Sequence, residues 1–323
     1  MNPTRSISIT AAAGLVCFAL ACGIQADRAV SALQADRFAG SEWSDPVNLG
    51  PLINSSALDG NAGLSPDGLT LYFVSARPGG LGNNDIWVSH RQCVPCDWEA
   101  PVNLGAPINS DAGEGAPTVS DDGRNLFFFS LRSGGFGSAD IYVSTRVSTG
   151  PEGDSWGDPV NLGADVNTAG TENGAYYVRE GGEPNAALYF NRTPSGTNLE
   201  IYRVFLTNDG EPLGPAVVVP ELNSPAGDQK VAVRTDGHEL LLSTNRNGGF
   251  GNFDIWSFTR QGIHDPWSAP VHLDAPLNTP DVDSQPSLSR DGRTLIFTST
   301  RPGGYGQQDL WMATRTPSVR GEP

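Results

Sequence analysis

The sequence predicts an all-β fold built from five copies of one unit, and three observations support this class. A constellation of an Asn, an acidic residue, an Arg and a second acidic residue returns five times, with a period of roughly 55 residues. Glycine (39) and proline (25) are abundant, and apolar residues are 38% of the chain, which suits short strands joined by turns. Each unit also contains a short, almost continuously apolar run. The five sets are Asn54, Asp59, Arg77 and Asp85; Asn109, Glu114, Arg132 and Asp140; Asn167, Glu172, Arg192 and Glu200; Asn223, Asp228, Arg246 and Asp254; and Asn278, Asp283, Arg301 and Asp309.

Four strands are predicted in every unit, and the first unit illustrates them. Residues 61–65 lead through the turn Pro66-Asp67-Gly68 into the apolar run 70–74. A glycine-rich loop over 77–82 precedes the third strand at 86–88, and the fourth lies at 101–105. Glycine and Asp-Gly supply the positive φ values that tight hairpins need. The second strands are apolar on both sides, so both of their faces must be covered, as radially packed blades provide.

The order of the strands predicts how the repeat closes. The chain begins with a lone strand of the fourth type at 46–49 and ends with a three-strand block that reaches residue 313. Pairing of these two ends would complete the fifth blade and remove both exposed edges. We therefore predict a five-bladed β-propeller over residues 43–317, closed by the N-terminal strand, with a tail at 318–323.

Several of these segments resemble a known repeat. Ser65-Pro66-Asp67-Gly68, followed by Leu71-Tyr72-Phe73 and Asp85-Ile86-Trp87, is similar to the WD40-like "Pro-Asp" propeller repeat found in the periplasmic TolB protein and in many exported bacterial proteins. The resemblance implies a propeller that serves as a scaffold, a partner-binding module or an enzyme domain. The third unit departs from the pattern, because its first hairpin, Glu180–Pro184, lacks Pro-Asp-Gly and is two residues longer.

The first residues predict export from the cytoplasm. Arg5 precedes an apolar region at 7–20, and Ala19-Leu20-Ala21 forms a small-x-small cleavage site. We predict a signal peptide at 1–21 and a linker at 22–42. Because Cys22 follows a segment similar to a lipobox, lipidation of Cys22 is the alternative to plain cleavage. Both alternatives place the mature protein in the periplasm or outside the cell, with or without a lipid anchor to the envelope.

Charge and cysteine content narrow the partners. The formal net charge of −16 disfavours nucleic acid and anionic lipid, so a membrane contact is expected only through a lipid anchor. Cys93 and Cys96 predict a local disulfide, since an exported chain meets oxidising conditions and no helix pattern or ligand set favours redox catalysis or zinc. No Gly-x-Ser-x-Gly or phosphate-loop motif occurs. A monomer is expected.

A ring of acids admits two interpretations. Each acid falls at the start of an innermost strand, where five carboxylates facing one channel mouth would suit calcium. Each acid is also the expected cross-strand neighbour of an Arg in the same blade, which predicts five structural ion pairs. We favour ion pairs, because a feature present in every blade is best explained by the construction of a blade. No cofactor is predicted, with calcium as the alternative. The acids are Asp59, Glu114, Glu172, Asp228 and Asp283, and the arginines are Arg77, Arg132, Arg192, Arg246 and Arg301.

Departures from the repeat are the candidates for ligand binding. Lys230 is the sole lysine and lies two residues past an acid of the ring. Tyr176, Tyr177 and Arg179 on the inner strand of unit three are bulkier than their equivalents. Three acids that break the repeat, Glu152, Glu180 and Glu183, are expected to be solvated.

The sequence predicts a binding or scaffold propeller that captures an envelope protein, a small ligand or a glycan. The expected surface is the face with the acid-containing connections and glycine-rich loops. The alternative is an extracytoplasmic hydrolase of glycans or lactones on that face, with or without calcium. An enzyme should show an asymmetric pocket with unpaired carboxylates.

Overall fold

A computed structural model describes Phe38 and residues 41–148, 154–193 and 198–317. The predicted signal peptide, Cys22, most of the linker and the tail at 318–323 lie outside the described residues. Within them the chain folds into five antiparallel sheets arranged as a five-bladed propeller, which confirms the predicted fold class.

The chain enters the fold through β1 (Val47–Asn48), which belongs to the last blade. Blade one contains β2 (Asp59–Leu64), β3 (Thr70–Ser75), β4 (Asp85–His90) and β5 (Val102–Asn103). Blade two contains β6 (Glu114–Val119), β7 (Asn125–Ser130), β8 (Asp140–Ser148) and β10 (Val160–Asn161), with the short β9 (Ser155–Trp156) paired to the end of β8.

Blade three contains β11 (Thr171–Val178), β12 (Ala186–Thr193), β13 (Glu200–Leu206) and β14 (Val217–Val218), with a short 3₁₀ turn at Glu180–Gly182. Blade four contains β15 (Asp228–Val233), β16 (Glu239–Thr244), β17 (Asp254–Thr259) and β18 (Val271–His272). Blade five contains β19 (Asp283–Leu288), β20 (Thr294–Ser299) and β21 (Asp309–Thr314), completed by β1.

The two ends of the propeller pair as the strand order predicts. β1 runs antiparallel to β21, with Val47 opposite Met312 and Asn48 opposite Trp311. The side chain of Asn54 reinforces this closure, because its Oδ1 accepts from the Leu310 N–H at 2.8 Å and its Nδ2 donates to the Leu310 carbonyl at 3.0 Å. Blade five is thereby built from both ends of the chain, and the sheet has no unpaired seam there.

The second strand of each blade forms the centre of the core. Tyr72 and Phe73 of β3, and Phe127 and Phe128 of β7, are fully buried between neighbouring sheets. Burying such a side chain contributes roughly 1.5–3 kcal/mol relative to leaving it exposed. Apolar residues on both sides of these strands are therefore explained, since each sheet packs against a blade on either side.

Two faces of the disc follow from the strand directions. The loop face carries the starts of the inner strands and the glycine-rich connections between second and third strands. The hairpin face carries the turns between first and second strands. These turns span residues 65–69, 120–124, 179–185, 234–238 and 289–293.

Candidate functional site

On the loop face, each acid of the predicted ring contacts the Arg of its own blade. All five carboxylates are 0% exposed. The nitrogen–oxygen distances are 2.7 Å for Asp59 and Arg77, 3.4 Å for Glu114 and Arg132, 2.9 Å for Glu172 and Arg192, 2.8 Å for Asp228 and Arg246, and 2.6 Å for Asp283 and Arg301.

Other hydrogen-bonding atoms of these acids and arginines bond to the connection that leads into their blade. Asp59 Oδ2 accepts from the backbone N–H of Ser55 at 2.6 Å and from its hydroxyl at 2.7 Å. Arg77 also donates to the carbonyl of Ile53. The other four blades repeat this arrangement with a Ser or Thr four residues before the acid. Within the described residues no group of three or more His, Cys, Asp or Glu side chains is placed to hold a metal ion. The acids therefore fix the connection between blades.

The hairpin face carries the variable positions of the repeat. Four of its turns end in Asp-Gly, and the aspartate binds its own turn; Asp67 Oδ1, for example, accepts from the Ser65 hydroxyl at 2.6 Å and the Leu69 N–H at 3.0 Å. The residue before that aspartate differs in every blade. It is Pro66, Asp121, Thr235 and Arg290 in blades one, two, four and five. The constant aspartate holds the turn, and the residue before it is left to vary.

These varied residues surround a recess, which we call the hairpin recess. It is made of adjoining cavities of about 670, 450, 220 and 40 Å³. Arg290 lines all four and Asp121 lines three of them. Tyr177, Arg179 and Asn208 of blade three complete the wall. We expected ligand capture on the loop face; this recess lies on the opposite face, where the side chains differ from blade to blade.

Charge in the hairpin recess is mixed and asymmetric. Arg179 Nε lies 3.3 Å from Asp121 Oδ2, and its Nη2 donates to Asn208 Oδ1 at 3.0 Å. Arg290 is exposed and makes no ion pair among the described residues. Burial raises the pKa of Asp122, but hydrogen bonds from the Ser120 hydroxyl and the Arg124 N–H outweigh it, so the pKa lies below its usual value.

The residues predicted to bind ligand separate into two groups. Tyr177 and Arg179 line the recess, where the Tyr177 ring stacks on Phe127 with centroids 5.6 Å apart. Burial raises the pKa of Tyr177, so its hydroxyl remains a neutral donor. Tyr176 lies deeper, at the channel mouth, and its hydroxyl donates to the Val233 carbonyl at 3.2 Å. Lys230 lines none of the cavities of the recess.

Lys230 fills the channel instead. Its side chain is 1% exposed, and Nζ donates to the Ala62 carbonyl of blade one at 3.2 Å. Burial lowers its pKa to about 7. Among the described residues no carboxylate forms a salt bridge with it. The other blades place a positive-φ residue at this bulge, such as Asn61 (φ 51) or Gly174 (φ 66). A Cβ on Gly174 would lie 2.8 Å from the Gln229 carbonyl oxygen, so a side chain at this positive-φ position would require the backbone to shift.

A second cleft, of about 520 Å³, lies between blades three and four. Glu180 lines it and is only 6% exposed; it accepts from the Tyr189 hydroxyl at 2.6 Å and pairs with Arg260. The expectation that Glu180 is solvated is therefore wrong. The longer hairpin of blade three folds onto blade four, where the Gly181 N–H donates to the Thr235 carbonyl, and this buries the carboxylate. Glu152 lies outside the described residues.

The predicted disulfide is confirmed. Cys93 and Cys96 are joined with an S–S distance of 2.02 Å, and the loop that they close carries Val94 to the edge of the 450 Å³ cavity.

Asp121, Asn208 and Arg290, which the fold brings to one recess, are not among the residues predicted to bind ligand. Asp121 and Arg290 had a signal, because they hold the one position of the hairpin that changes between otherwise matching turns. Asn208 had no such signal. It follows β13, and nothing in the repeat pattern distinguishes this position from other loop residues.

Comparison with known proteins extends the description of the fold. Neither a family model nor a curated protein matches the sequence. Among solved structures, a GH62 hydrolase in complex with xylotriose is similar over 86% of this chain and 99% of its own, with a TM-score of 0.58 and 13% identity. An α-L-arabinofuranosidase from Podospora anserina in complex with cellotriose matches 86% of this chain and 98% of its own, with a TM-score of 0.56 and 14% identity.

Two further structures complete the comparison. An exo-β-1,3-galactanase from Phanerochaete chrysosporium with galactose has a TM-score of 0.55 at 14% identity, covering 84% of this chain and 64% of its own. TolB from Acinetobacter baumannii has a TM-score of 0.49 at 17% identity, covering 82% and 56%. At such identities the likeness to the three structures with TM-scores above 0.5 shows the fold alone, and membership in the Pro-Asp repeat family stays a prediction. Within the described residues no helix is both long and apolar enough to cross a bilayer.

Proposed function

We propose that the protein binds a glycan in the hairpin recess. The observation that carries the proposal is the placement of the varied hairpin residues around one set of adjoining cavities on an otherwise repetitive disc. Binding sites of this kind combine a concave surface with a few placed polar groups. The residue before the turn aspartate is not needed to build the blade. Polar groups for ligand binding can therefore be introduced there without loss of the fold.

The chemistry of the recess suits sugar hydroxyls. Asp121 and Asp122 are acceptors, Arg290 offers several donors in one plane, and Asn208 offers both. Acceptors and donors at fixed spacing can pair with neighbouring hydroxyls on a ring. Similarity of fold to proteins that act on or bind xylotriose, cellotriose and galactose supports a glycan over an envelope protein as the ligand.

Hydrolysis of the bound glycan is the second candidate, because the similar structures are glycoside hydrolases. That reaction needs two carboxyl groups, one of which holds a proton at the working pH. In the hairpin recess the pKa values of Asp67 and Asp122 are lowered: burial raises them, but hydrogen bonds from serine hydroxyls and backbone N–H groups prevail. Such carboxylates accept hydrogen bonds well and donate protons poorly, so neither Asp67 nor Asp122 suits the role of the proton donor.

We also propose that the protein acts outside the cytoplasm. The predicted signal peptide and the disulfide suit a protein that meets its glycan in the periplasm or outside the cell, with or without a lipid anchor at Cys22.

The test is titration calorimetry of the mature chain with arabinoxylan, galactan and pectin oligosaccharides, using Arg290→Ala and Arg293→Ala. Arg293 lies on the same hairpin, is exposed, and lines none of the recess cavities. We expect Arg290→Ala to weaken glycan binding by about tenfold or more, the loss of one charged hydrogen-bonding group. Arg293→Ala should bind as the wild type does. Equal affinity of both variants, or no binding by the wild type, would contradict the proposal.

Incubation with the same oligosaccharides tests whether the protein hydrolyses the bound glycan. Release of reducing ends by the wild type that is abolished in both Asp121→Asn and Asp122→Asn would establish hydrolysis in this recess. Binding without product over an extended incubation would leave glycan capture as the function.

A further inference from the structure

A second arginine repeats on the hairpin-face side of the blades. It follows the third strand, donates from Nε to the carbonyl of the hairpin glycine in its own blade, and packs over a tryptophan ring. The donor–acceptor distances are 2.7 Å for Arg91, 2.7 Å for Arg146, 2.6 Å for Arg260 and 2.8 Å for Arg315. Their rings are Trp98, Trp156, Trp267 and Trp43. Nε of each arginine is therefore used in a hydrogen bond within its own blade. The two η nitrogens lie at the junction with the neighbouring blade.

Three of these four arginines pair with a carboxylate. Arg146 pairs with Asp154, Arg260 with Glu180, and Arg315 with Glu239. Arg91 has no carboxylate partner among the described residues, although it is only 8% exposed. Its η nitrogens make no hydrogen bond to any described residue. A largely buried guanidinium without a counter-charge is costly, because burial penalises its charge and only the Trp98 ring and the Gly68 carbonyl offset that penalty.

The junction between blades four and five shows one place where such a carboxylate can lie. Glu239 is the first residue of β16 in blade four and reaches Arg315 of the next blade at 2.5 Å. The first residue of β20 in blade five is Thr294, which stands in the same relation to Arg91 of blade one. Between blades four and five Phe38 also fills the junction, 4.1 Å from the Arg315 guanidinium. Between blades five and one there is open space of about 450 Å³, lined by both Arg91 and Thr294.

We propose that this cavity is a carboxylate subsite of the hairpin recess, and that the glycan it takes carries a uronic acid. The sugar carboxylate would lie where a glutamate lies at the preceding junction, against the two η nitrogens of Arg91. Arginine and carboxylate match as a two-pronged pair, and burial of Arg91 strengthens the interaction. The inference rests on the proposed glycan-binding function and names the class of sugar.

The other groups of the cavity are compatible with an anion. Arg290 lines it as a second cation. The hydroxyls of Ser289 and Thr235 donate to Asp291 and to the Arg290 carbonyl, so the two arginines are the groups that can receive an anion. Asp67 and Asp291 also line it, but each directs one carboxylate oxygen to the serine and backbone N–H of its own turn. Val94, on the disulfide-closed loop, provides an apolar wall beside Arg91.

Thr294→Glu tests the subsite by supplying the absent carboxylate, and Thr294→Gln is the matched neutral control. The probes are free galacturonic acid, trigalacturonate, a neutral galactose trisaccharide and inorganic phosphate, measured by calorimetry on the mature wild-type chain and both variants. We expect trigalacturonate to bind the wild type and Thr294→Gln, and its affinity for Thr294→Glu to fall about thirtyfold or more, as for loss of a buried charge pair. Thermal unfolding of Thr294→Glu should occur no lower than that of the wild type.

Each outcome has a distinct meaning. If neutral and acidic trisaccharides bind the wild type equally, or Thr294→Glu binds trigalacturonate as the wild type does, the subsite is refuted while glycan binding stands. Binding of phosphate without galacturonate also refutes it. If neither the acidic nor the neutral trisaccharide binds, glycan binding fails too. Should free galacturonic acid alone still bind the wild type and not Thr294→Glu, the carboxylate subsite is supported without the glycan.

Discussion

The two faces of the propeller are built from the same five repeats and differ in what they keep constant. On the loop face every blade has a buried Asp or Glu, an Arg that pairs with it and a Ser or Thr hydroxyl that donates to it. On the hairpin face four blades share the Asp-Gly turn, but the residue before its aspartate changes from Pro66 to Asp121, Thr235 and Arg290. Groups that repeat serve the junctions between blades. Groups that vary line the hairpin recess and make it asymmetric.

The largest expected effect comes from breaking a loop-face pair. Arg301→Met leaves Asp283 buried and without its partner, and should lower the free energy of unfolding by about 3–5 kcal/mol. The same substitution on the hairpin face, Arg290→Met, should change it by less than about 0.5 kcal/mol, because that side chain is exposed. Urea denaturation of both variants measures the difference. A double variant that adds Asp283→Asn should regain part of the loss, and equal losses for the two single variants would remove the contrast between the faces.

Lys230, between the two faces, should give the next largest effect. Its pKa is about 7 in the folded chain and near 10.5 when unfolded, so between these values the unfolded state binds more protons. Stability from this group therefore rises with pH through that window, and below pH 7 the full cost of a buried charge is present. We expect the wild type to gain about 2–3 kcal/mol between pH 7 and pH 9 relative to Lys230→Met. Parallel pH profiles for the two proteins, measured by chemical denaturation, would show that the lysine is not titrating in the channel.

A smaller effect is expected from the disulfide beside the hairpin recess. Cys93→Ser with Cys96→Ser removes a bond that closes a short loop, which should cost at most about 2 kcal/mol of stability. Because Val94 loses its restraint, ligand affinity at the hairpin recess should fall by a few-fold, as for a wall that must be ordered on binding. Calorimetry and thermal unfolding of the double variant separate the two effects. Unchanged stability together with tenfold weaker binding would show that the loop is a direct part of the site.

Much of the architecture could be predicted, because the same pattern recurs in each repeat and five copies support one assignment of strands. The closure of β1 on β21 follows from counting strand types along the chain. The pairing of each acid with its Arg follows from their place at one end of a hairpin. In blade three the two are cross-strand partners, and in the other four blades the Arg lies two residues beyond the Ser or Thr opposite the acid. The inner strand of blade one begins at Asp59 rather than at the predicted residue 61, because a bulge after Gly60 lets the pairing start earlier.

The position of the candidate site was harder to predict. Glu180 looks like a surface charge in the sequence, yet a hairpin two residues longer than the others places it against Arg260 of the next blade. The vacancy beside Arg91 depends on Thr294, which lies about 200 residues away in the chain and is ordinary on its own. Local pattern describes one blade well; it does not describe which side chains of different blades meet.

By itself the sequence determined the all-β class, the number of blades, the seam that joins the chain ends, and the bond between Cys93 and Cys96. Each of these features depends on the spacing of residues along the chain, and that spacing can be read directly from the sequence. The tertiary structure alone decided which face is recessed, how Lys230 is buried, and why one of the four arginines pairs with no acid of the described residues. Those facts depend on contacts between blades, where the packing of bulky side chains and the loss of water decide the outcome.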